Sequence, residues 1–376
     1  MKMEIPLFKI HWNEDDIDAV NRIIRSGLYW CMGRDIEEFE QEIAAYLGSD
    51  YCVLLNSGGS ALQALMVAYN FQKGDEIIVP SFTFIASAYA PLYVGARPVF
   101  ADIEEDTYGL DPEDVKRKIT NKTKAILPVH YGGMPCRVDI LNELAEDYGL
   151  LLIEDAAEAL GAKLGAKAIG TFGHSSIFSF CQNKVITTSE GGCLVTNDST
   201  INEKARLFRS YGRVITGDYF AGGTDLDYVE SGFNLRMSTL LASLGRSQLK
   251  RINDLIVMRQ KNAHFLIEKF NDLDEISCPM PPNKDFFSVY QMFTLRVRTG
   301  QKKRDALMKH LSDKGISSKV YFDPVHQYSV FRKLGHHTIQ LPVTERVASE
   351  VLTIPMYPHM TKEELEYLST SIIEFF

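Results

Sequence analysis

The sequence predicts an α/β protein with a parallel sheet covered on both faces, joined to a smaller C-terminal α+β domain. Two observations predict it. Strand-like and helix-like segments alternate through roughly the first 250 residues, the pattern of βαβ units. Beyond that point the texture changes to one long helix and scattered shorter elements. A length of 376 residues suits one large domain and one smaller one. The expected division is 1–250 and 251–376.

The elements follow in order. Tyr51–Leu55 is a short apolar strand, running through Asn56-Ser57-Gly58-Gly59-Ser60 into a helix over Ala61–Asn70. Lys73-Gly74-Asp75 is a turn before the strand Glu76–Pro80. A helix over Ile85–Tyr93 leads to the strand Pro98–Ala101. Asp111 as N-cap, with Pro112 at the first helical position, opens the next helix. The strand Ala125–Val129, the helix Asp139–Tyr148 and the buried strand Leu150–Ile153 continue the alternation. An amphipathic helix is then expected over Ser238–Phe270, followed by a loop marked by Pro279, Pro281 and Pro282. A strand Tyr290–Arg298, a helix Arg304–Asp313, a strand Ser318–Phe322 and a helix from Lys362 complete the smaller domain.

Composition narrows the function classes. With 45% hydrophobic and 24% charged residues, the chain is an ordinary globular protein. A net charge of −9 without a basic run argues against nucleic acid as a partner, but leaves a small anionic ligand open. Cys31, Cys52, Cys136, Cys181, Cys193 and Cys278 show no CxxC spacing and read as free thiols of a reducing cytoplasm. No HExxH or cysteine cluster suggests a metal. No apolar run approaches the roughly 18 residues of a membrane span, and the N-terminus lacks a signal-peptide core.

The chemistry-bearing residues sit where strands end. Lys184 follows the strand-like run ending in Ser179 and precedes the polar stretch Thr187-Thr188-Ser189-Glu190-Gly191-Gly192. That setting suits an amine that must reach a carbonyl, a Schiff-base lysine; the alternative is a lysine in a hydrophilic loop. Asn56–Ser60 puts glycines between a strand and a helix N-terminus, which makes an anion site or simply a tight turn. It is neither a Walker A loop nor a GxGxxG fingerprint, so neither nucleotide hydrolysis nor dinucleotide binding is indicated. Glu154 and Asp155 end an apolar strand, with Ala156 and Ala157 leaving room beside Asp155. A buried carboxylate there calls for a cation such as a protonated pyridine, or Asp155 caps the next segment. Phe82 and Phe84 follow the strand Glu76–Pro80 and could stack on a flat ring or fill the core. An anion loop, an acid, an aromatic and a lysine at one sheet edge match the phosphate, pyridine nitrogen, ring and aldehyde of pyridoxal 5'-phosphate (PLP).

The chain resembles the DegT/DnrJ/EryC1/StrS sugar aminotransferases of the fold-type I PLP class. The residues that carry the resemblance include Asn56-Ser57-Gly58, Gly74-Asp75-Glu76, Pro80-Ser81-Phe82-Thr83-Phe84, His130-Tyr131-Gly132-Gly133, Glu154-Asp155-Ala156-Ala157, Asn183-Lys184 and Gly232-Phe233-Asn234-Leu235-Arg236-Met237-Ser238. The resemblance implies a mainly parallel seven-stranded sheet and PLP as cofactor. It implies that Lys184 bonds PLP and shuttles the proton, that Asp155 pairs with the pyridine nitrogen and that Phe84 stacks on the ring. The backbone of Gly59 and Ser60, with the hydroxyl of Ser179, would hold the phosphate. Asn234, near Arg236, would reach it from the neighbouring subunit of a homodimer with shared sites. Glu158 stands where many members carry glutamine, which is similar to the perosamine-synthase-like branch of 4-aminotransferases. Tyr321 and His326, near Lys319, are similar to a substrate-lining segment; His326 could equally make a structural hydrogen bond, and Arg213 or Arg34 could meet a diphosphate.

Gly59-Ser60 in place of Thr-Ala, Leu160 and Tyr211 in place of histidines, and Cys181-Gln182 depart from the family pattern. The expected activity is transfer of an amine from glutamate to a nucleotide-linked 4-keto-6-deoxy sugar in the cytoplasm, without nucleic acid or membrane partners. A 3-keto sugar nucleotide or keto-cyclitol acceptor is the near alternative, and a non-catalytic regulatory protein on this fold the distant one.

Overall fold

A computed structural model describes residues 3–216 and 225–376. Seven strands form the central sheet: β1 (Tyr51–Leu55), β2 (Glu76–Pro80), β3 (Arg97–Ala101), β4 (Thr123–Ile126), β5 (Leu151–Asp155), β6 (Ser175–Ser179) and β7 (Gly192–Thr196). Their order is β1-β7-β6-β5-β4-β2-β3. The pairs β2–β3, β2–β4, β4–β5 and β5–β6 are parallel. Only β7 runs against its neighbours β1 and β6 in this sheet. The expected mainly parallel seven-stranded sheet is therefore present.

Helices cover both faces because the strands are apolar on both. Cys52 and Leu54 of β1 and Leu152 of β5 join the core under the helices α1 (Arg34–Leu47) and α2 (Val138–Tyr148). Val53, Leu55 and Ile153 join the opposite core, under α3 (Gly58–Ala68) and α4 (Ile85–Tyr93). The period-2 alternation of a strand makes this division. It also sends Glu154 and Asp155, side by side in sequence, to opposite faces.

The C-terminal part has its own antiparallel sheet of Ile276–Ser277, Phe293–Val297 and Val351–Ile354. Its core gathers Phe293, Leu295, Leu307, Leu311, Leu352, Ile354 and Leu368. Ile5, bridged to Ile316, joins this third core although it lies at the other end of the chain.

Two expected elements differ. The helix drawn over Ser238–Phe270 is two helices, Thr239–Leu249 and Ile252–Phe270. The chain turns at Arg251, whose φ of −111° and ψ of 7° leave the helical region. There Arg251 Nη2 is drawn to Asp16 Oδ2 at 2.6 Å, the same oxygen that accepts from Gln248. The strand expected over Ser318–Phe322 reduces to one bridge, Lys319 with Thr353. Beyond it the Tyr321 carbonyl accepts from the Tyr131 hydroxyl instead of continuing a ladder. The strand Val351–Ile354, which occupies that edge, has no counterpart in the sequence-based expectation. Among the described residues no helix is long and apolar enough to cross a membrane.

Candidate active site

The C-terminal ends of β1, β2, β5 and β6 open on one sheet edge, where α/β sheets bind ligands. At β1, Ser57 caps α3: Ser57 Oγ accepts from the Ser60 amide at 3.0 Å. The Ser60 hydroxyl donates to Asn56 Oδ1 at 2.7 Å. The Ser60 amide is thus engaged by its cap and the Ser60 hydroxyl by Asn56, so the expected backbone hold on an anion falls to the first-turn Gly59 amide, and the Ser60 hydroxyl reaches an anion by turning away from Asn56. The loop lies against β6, since a Cβ on Gly58 would be 3.1 Å from Ser179 Cβ. It also lies beside α4, since a Cβ on Gly59 would be 3.9 Å from Ala86 Cβ.

At β2, Phe84 stands at the N-terminus of α4 with its side chain 63% exposed, while Phe82 is fully buried. The core alternative therefore holds for Phe82 and not for Phe84. One turn along α4, the buried Ser87 hydroxyl donates to Asp155 Oδ2 at 2.7 Å and meets Thr83 Oγ1 at 2.9 Å. Asp155 Oδ1 accepts from the Ala157 amide at 3.1 Å. Burial raises the Asp155 carboxyl above the ordinary value, against the lowering effect of Ser87 and Ala157; the Glu158 charge raises it further and the Lys184 charge lowers it.

Lys184 and Glu158 meet across the site, with Nζ 3.1 Å from Oε1. Glu158 Oε2 accepts from the Gly132 amide at 2.8 Å. The lysine loop is folded back on β6: the Phe180 amide donates to the Gly191 carbonyl, and the Thr187 hydroxyl to the Phe180 carbonyl.

Glu154 has a different fate. It is fully buried on the other face and accepts from the Gly170, Phe172 and Gly173 amides at 2.7–2.8 Å and from His130 Nε2 at 3.1 Å. The Cys136 amide occupies His130 Nδ1, which leaves the Nε2 proton to point at Glu154. This carboxylate ties down a loop and faces away from the sheet edge that holds Asp155.

The remaining expected residues are more dispersed. Lys319 Nζ sits 4.3 Å from the Tyr321 ring centroid, and Phe322 lies 6.4 Å from Phe84. His326 is 2% exposed; its Nδ1 is 2.7 Å from Ser81 Oγ, and its amide donates to the same oxygen at 3.0 Å. Its structural hydrogen bond is therefore real, and burial lowers its pKa. Asn234 is exposed and bridges to Ser210, one residue from the Leu235 carbonyl that accepts from Asn56. Arg236 Nη1 is buried without a hydrogen-bond partner among the described residues, and burial lowers its pKa, with the Arg213 charge adding to the shift. Arg213 donates to the Met32 sulfur, and Arg34 pairs with Glu38. The residues that sequence reasoning missed are Ser87 and Gly132. Ser87 had a signal: it is the polar residue of an apolar helix turn, four residues after Thr83.

These groups fit PLP on their own chemistry. Asp155 is a buried carboxylate whose hydrogen bonds come from neutral donors, which is what a ring cation would complete. Phe84 offers an exposed aromatic ring, and the Lys184 amine stands near enough to Asp155 for its charge to lower that carboxyl. That set defines a PLP-dependent enzyme of the aminotransferase class.

The chain belongs to the DegT/DnrJ/EryC1/StrS aminotransferase family, matched over residues 11–373. A GDP-perosamine synthase of Escherichia coli O157:H7 is 35% identical, over 99% of this chain and 98% of its own. A dTDP-3-amino-3,6-dideoxy-alpha-D-galactopyranose transaminase of Aneurinibacillus thermoaerophilus is 31% identical, over 97% and 96%. Helicobacter pylori PseC, an aminotransferase involved in pseudoaminic acid biosynthesis, superimposes with a TM-score of 0.93 at 28% identity, over 100% and 99% of the two chains. The protein is a PLP-dependent sugar aminotransferase.

Proposed function

We propose that the protein transfers the amino group of glutamate to the ketone of a nucleotide-linked 4-keto-6-deoxy sugar. The observation that carries this reading is Glu158, a carboxylate braced between the Gly132 amide and the Lys184 amine, at a position where many family members carry glutamine and a glutamate is similar to the perosamine branch. The end-to-end similarity to a GDP-perosamine synthase supports the same choice.

Bound at this edge, PLP supplies a carbonyl that condenses with amines and a protonated ring that draws electrons from the substrate carbon. The chain's residues do the rest. Asp155, as an anion held by Ser87 and Ala157, would keep the ring nitrogen protonated. Phe84 would cover one face of the ring and exclude water from it. Gly59, Ser60 and Ser179 would hold the phosphate, with Asn234 of a second copy completing the cradle. Lys184 Nζ would take the donor's α-proton and return it to the acceptor carbon, with Glu158 orienting the amine between the two transfers. Tyr321 would line the sugar side, and His326 would brace the turn that carries Phe84.

Exposed Trp12, Ile17, Leu28, Tyr29 and Trp30 in the N-terminal region, with Phe233 close in sequence to Asn234, form apolar surface suited to a homodimer.

The test is an assay of the PLP-loaded enzyme with glutamate and two acceptors, a GDP-linked 4-keto-6-deoxyhexose and a dTDP-linked 3-keto-6-deoxyhexose. Faster turnover of the first is expected. Preference for the second would transfer the reading to the 3-amino branch, which the Aneurinibacillus relative represents.

A further inference from the structure

Gln291 lies in the turn leading into the strand Phe293–Val297 and is 3% exposed. Its Nε2–H donates to the main-chain carbonyl of Asn183, the residue before Lys184. The contact runs from the C-terminal sheet to the lysine loop of the central one. The same side chain leaves its Oε1 buried without a partner among the described residues. A buried unpaired acceptor costs about 1–3 kcal/mol, so a glutamine is a poor choice here for packing alone.

The turn that presents Gln291 is held from two directions. Arg259 Nη1 donates to the carbonyls of Tyr290 and Gln291 at 3.4 and 3.2 Å. The Val289 amide donates to the Gly133 carbonyl at 3.0 Å and the Met292 amide to the Gly132 carbonyl at 3.2 Å. Gly133, at φ +89°, admits no side chain; a Cβ there would sit 2.8 Å from the Gln291 amide nitrogen. Gly132 in turn donates to Glu158, which accepts from Lys184. The hydrogen bonds close a circuit. The lysine main chain is held through Asn183 by Gln291, its amine is held by Glu158, and both holds converge on the contact between residues 289–292 and 132–133.

The geometry points to Gln291 as a positioning residue for Lys184. A lysine amine sits at the end of a long flexible side chain, so gripping its tip alone leaves the backbone free to drift. Gripping both ends sets the reach of Nζ toward Asp155 and Glu158, and removes disorder that would otherwise be lost at each turnover. It also makes the seating of the lysine depend on the C-terminal part being docked. This inference rests on the reading that Lys184 is the residue that bonds PLP.

The test compares Gln291→Leu, which removes the donor, with Gln291→His, which keeps an N–H, and Gln291→Glu, which sets a carboxylate against the Asn183 carbonyl. Two readouts are taken on the apo protein. One is deuterium exchange of the peptide spanning residues 181–189. The other is the rate at which added PLP becomes fixed to Lys184, by borohydride quenching and peptide mass. In Gln291→Leu, faster exchange and fixation slowed about tenfold or more are expected, with equilibrium PLP binding by dialysis within about threefold of wild type. Gln291→His should recover to within about threefold, and Gln291→Glu should be as slow as Gln291→Leu.

Wild-type exchange and fixation in Gln291→Leu would overturn the inference. If Gln291→Leu lost its fold by circular dichroism, the other pair would decide: a fast His and a slow Glu variant support it, and equal rates overturn it. A wild-type protein that fixed PLP on another lysine would instead overturn the role of Lys184 itself.

Discussion

The Ser87 hydroxyl donates to Asp155 Oδ2 at 2.7 Å, from the first turn of the helix that also carries Phe84. One helix turn therefore sets both the aromatic cover and the carboxylate expected to meet the two sides of the cofactor ring. Ser87→Ala leaves Asp155 with the Ala157 amide and raises its carboxyl further. PLP affinity near neutral pH is expected to fall about tenfold, the ~1.4 kcal/mol of a hydrogen bond to a charged group. Equilibrium dialysis of PLP against the variant checks this, and unchanged affinity would reduce Ser87 to a detail of helix packing.

Asp155 itself gives a prediction with a sign. Its folded carboxyl is raised by burial, so the folded apo protein binds this proton more tightly than the unfolded chain. The associated stability is full below the ordinary carboxyl pKa and is lost as pH rises through the raised folded value. At neutral pH the apo protein carries that cost and PLP removes it. Asp155→Asn should therefore stabilise the apo protein, by about 1 kcal/mol, while weakening PLP binding. Thermal unfolding with and without PLP reads both. PLP affinity of the wild type should also fall on acidification through the raised Asp155 value, because a protonated carboxyl cannot pair with the ring cation.

How much of this was legible in the sequence depends on the distance over which the signal acts. Apolar runs and capping residues are local, and they located β1, β2, β5 and the Asp111 cap. Lys184, Asp155, Phe84 and the Asn56–Ser60 loop could be placed on one sheet edge from sequence because each ends or closely follows a strand of that sheet. The split of Glu154 from Asp155 was implicit in strand alternation, yet the four donors that satisfy Glu154 come from residues 130 and 170–173, which no spacing brings together. The break at Arg251 and the grip of Gln291 on Asn183 are tertiary in the same way. Arg251 leaves the helix for Asp16, more than 200 residues away, and neither partner carries a mark of the other.

Glu158 tests whether charge or shape holds the lysine. Glu158→Gln keeps an acceptor for the Gly132 amide but removes the negative charge 3.1 Å from Lys184 Nζ. Glu158→Ala removes both. Turnover is expected to fall about tenfold or more in Ala and less in Gln, with dialysis showing PLP retained in each. Equal losses would make the ion pair, and not the bond to Gly132, the whole contribution.

The two glycines around the anion loop should respond in opposite directions. A Cβ on Gly59 would meet nothing nearer than Ser57 Oγ at 3.8 Å, whereas one on Gly192 would lie 2.4 Å from the Gly58 amide nitrogen. The first position has room inside a helix, so Gly59→Ala should be neutral or stabilising by up to ~1 kcal/mol through reduced chain entropy. At the second the obstacle is backbone. Relieving it would push β7 from the start of α3 and shift the Gly59 and Ser60 donors. Gly192→Ala should therefore lower both the unfolding temperature and PLP affinity, while Gly59→Ala leaves affinity within about threefold of wild type. Paired melting curves and PLP titrations read the contrast, and a Gly192→Ala protein with wild-type affinity would separate the phosphate cradle from the packing of β7.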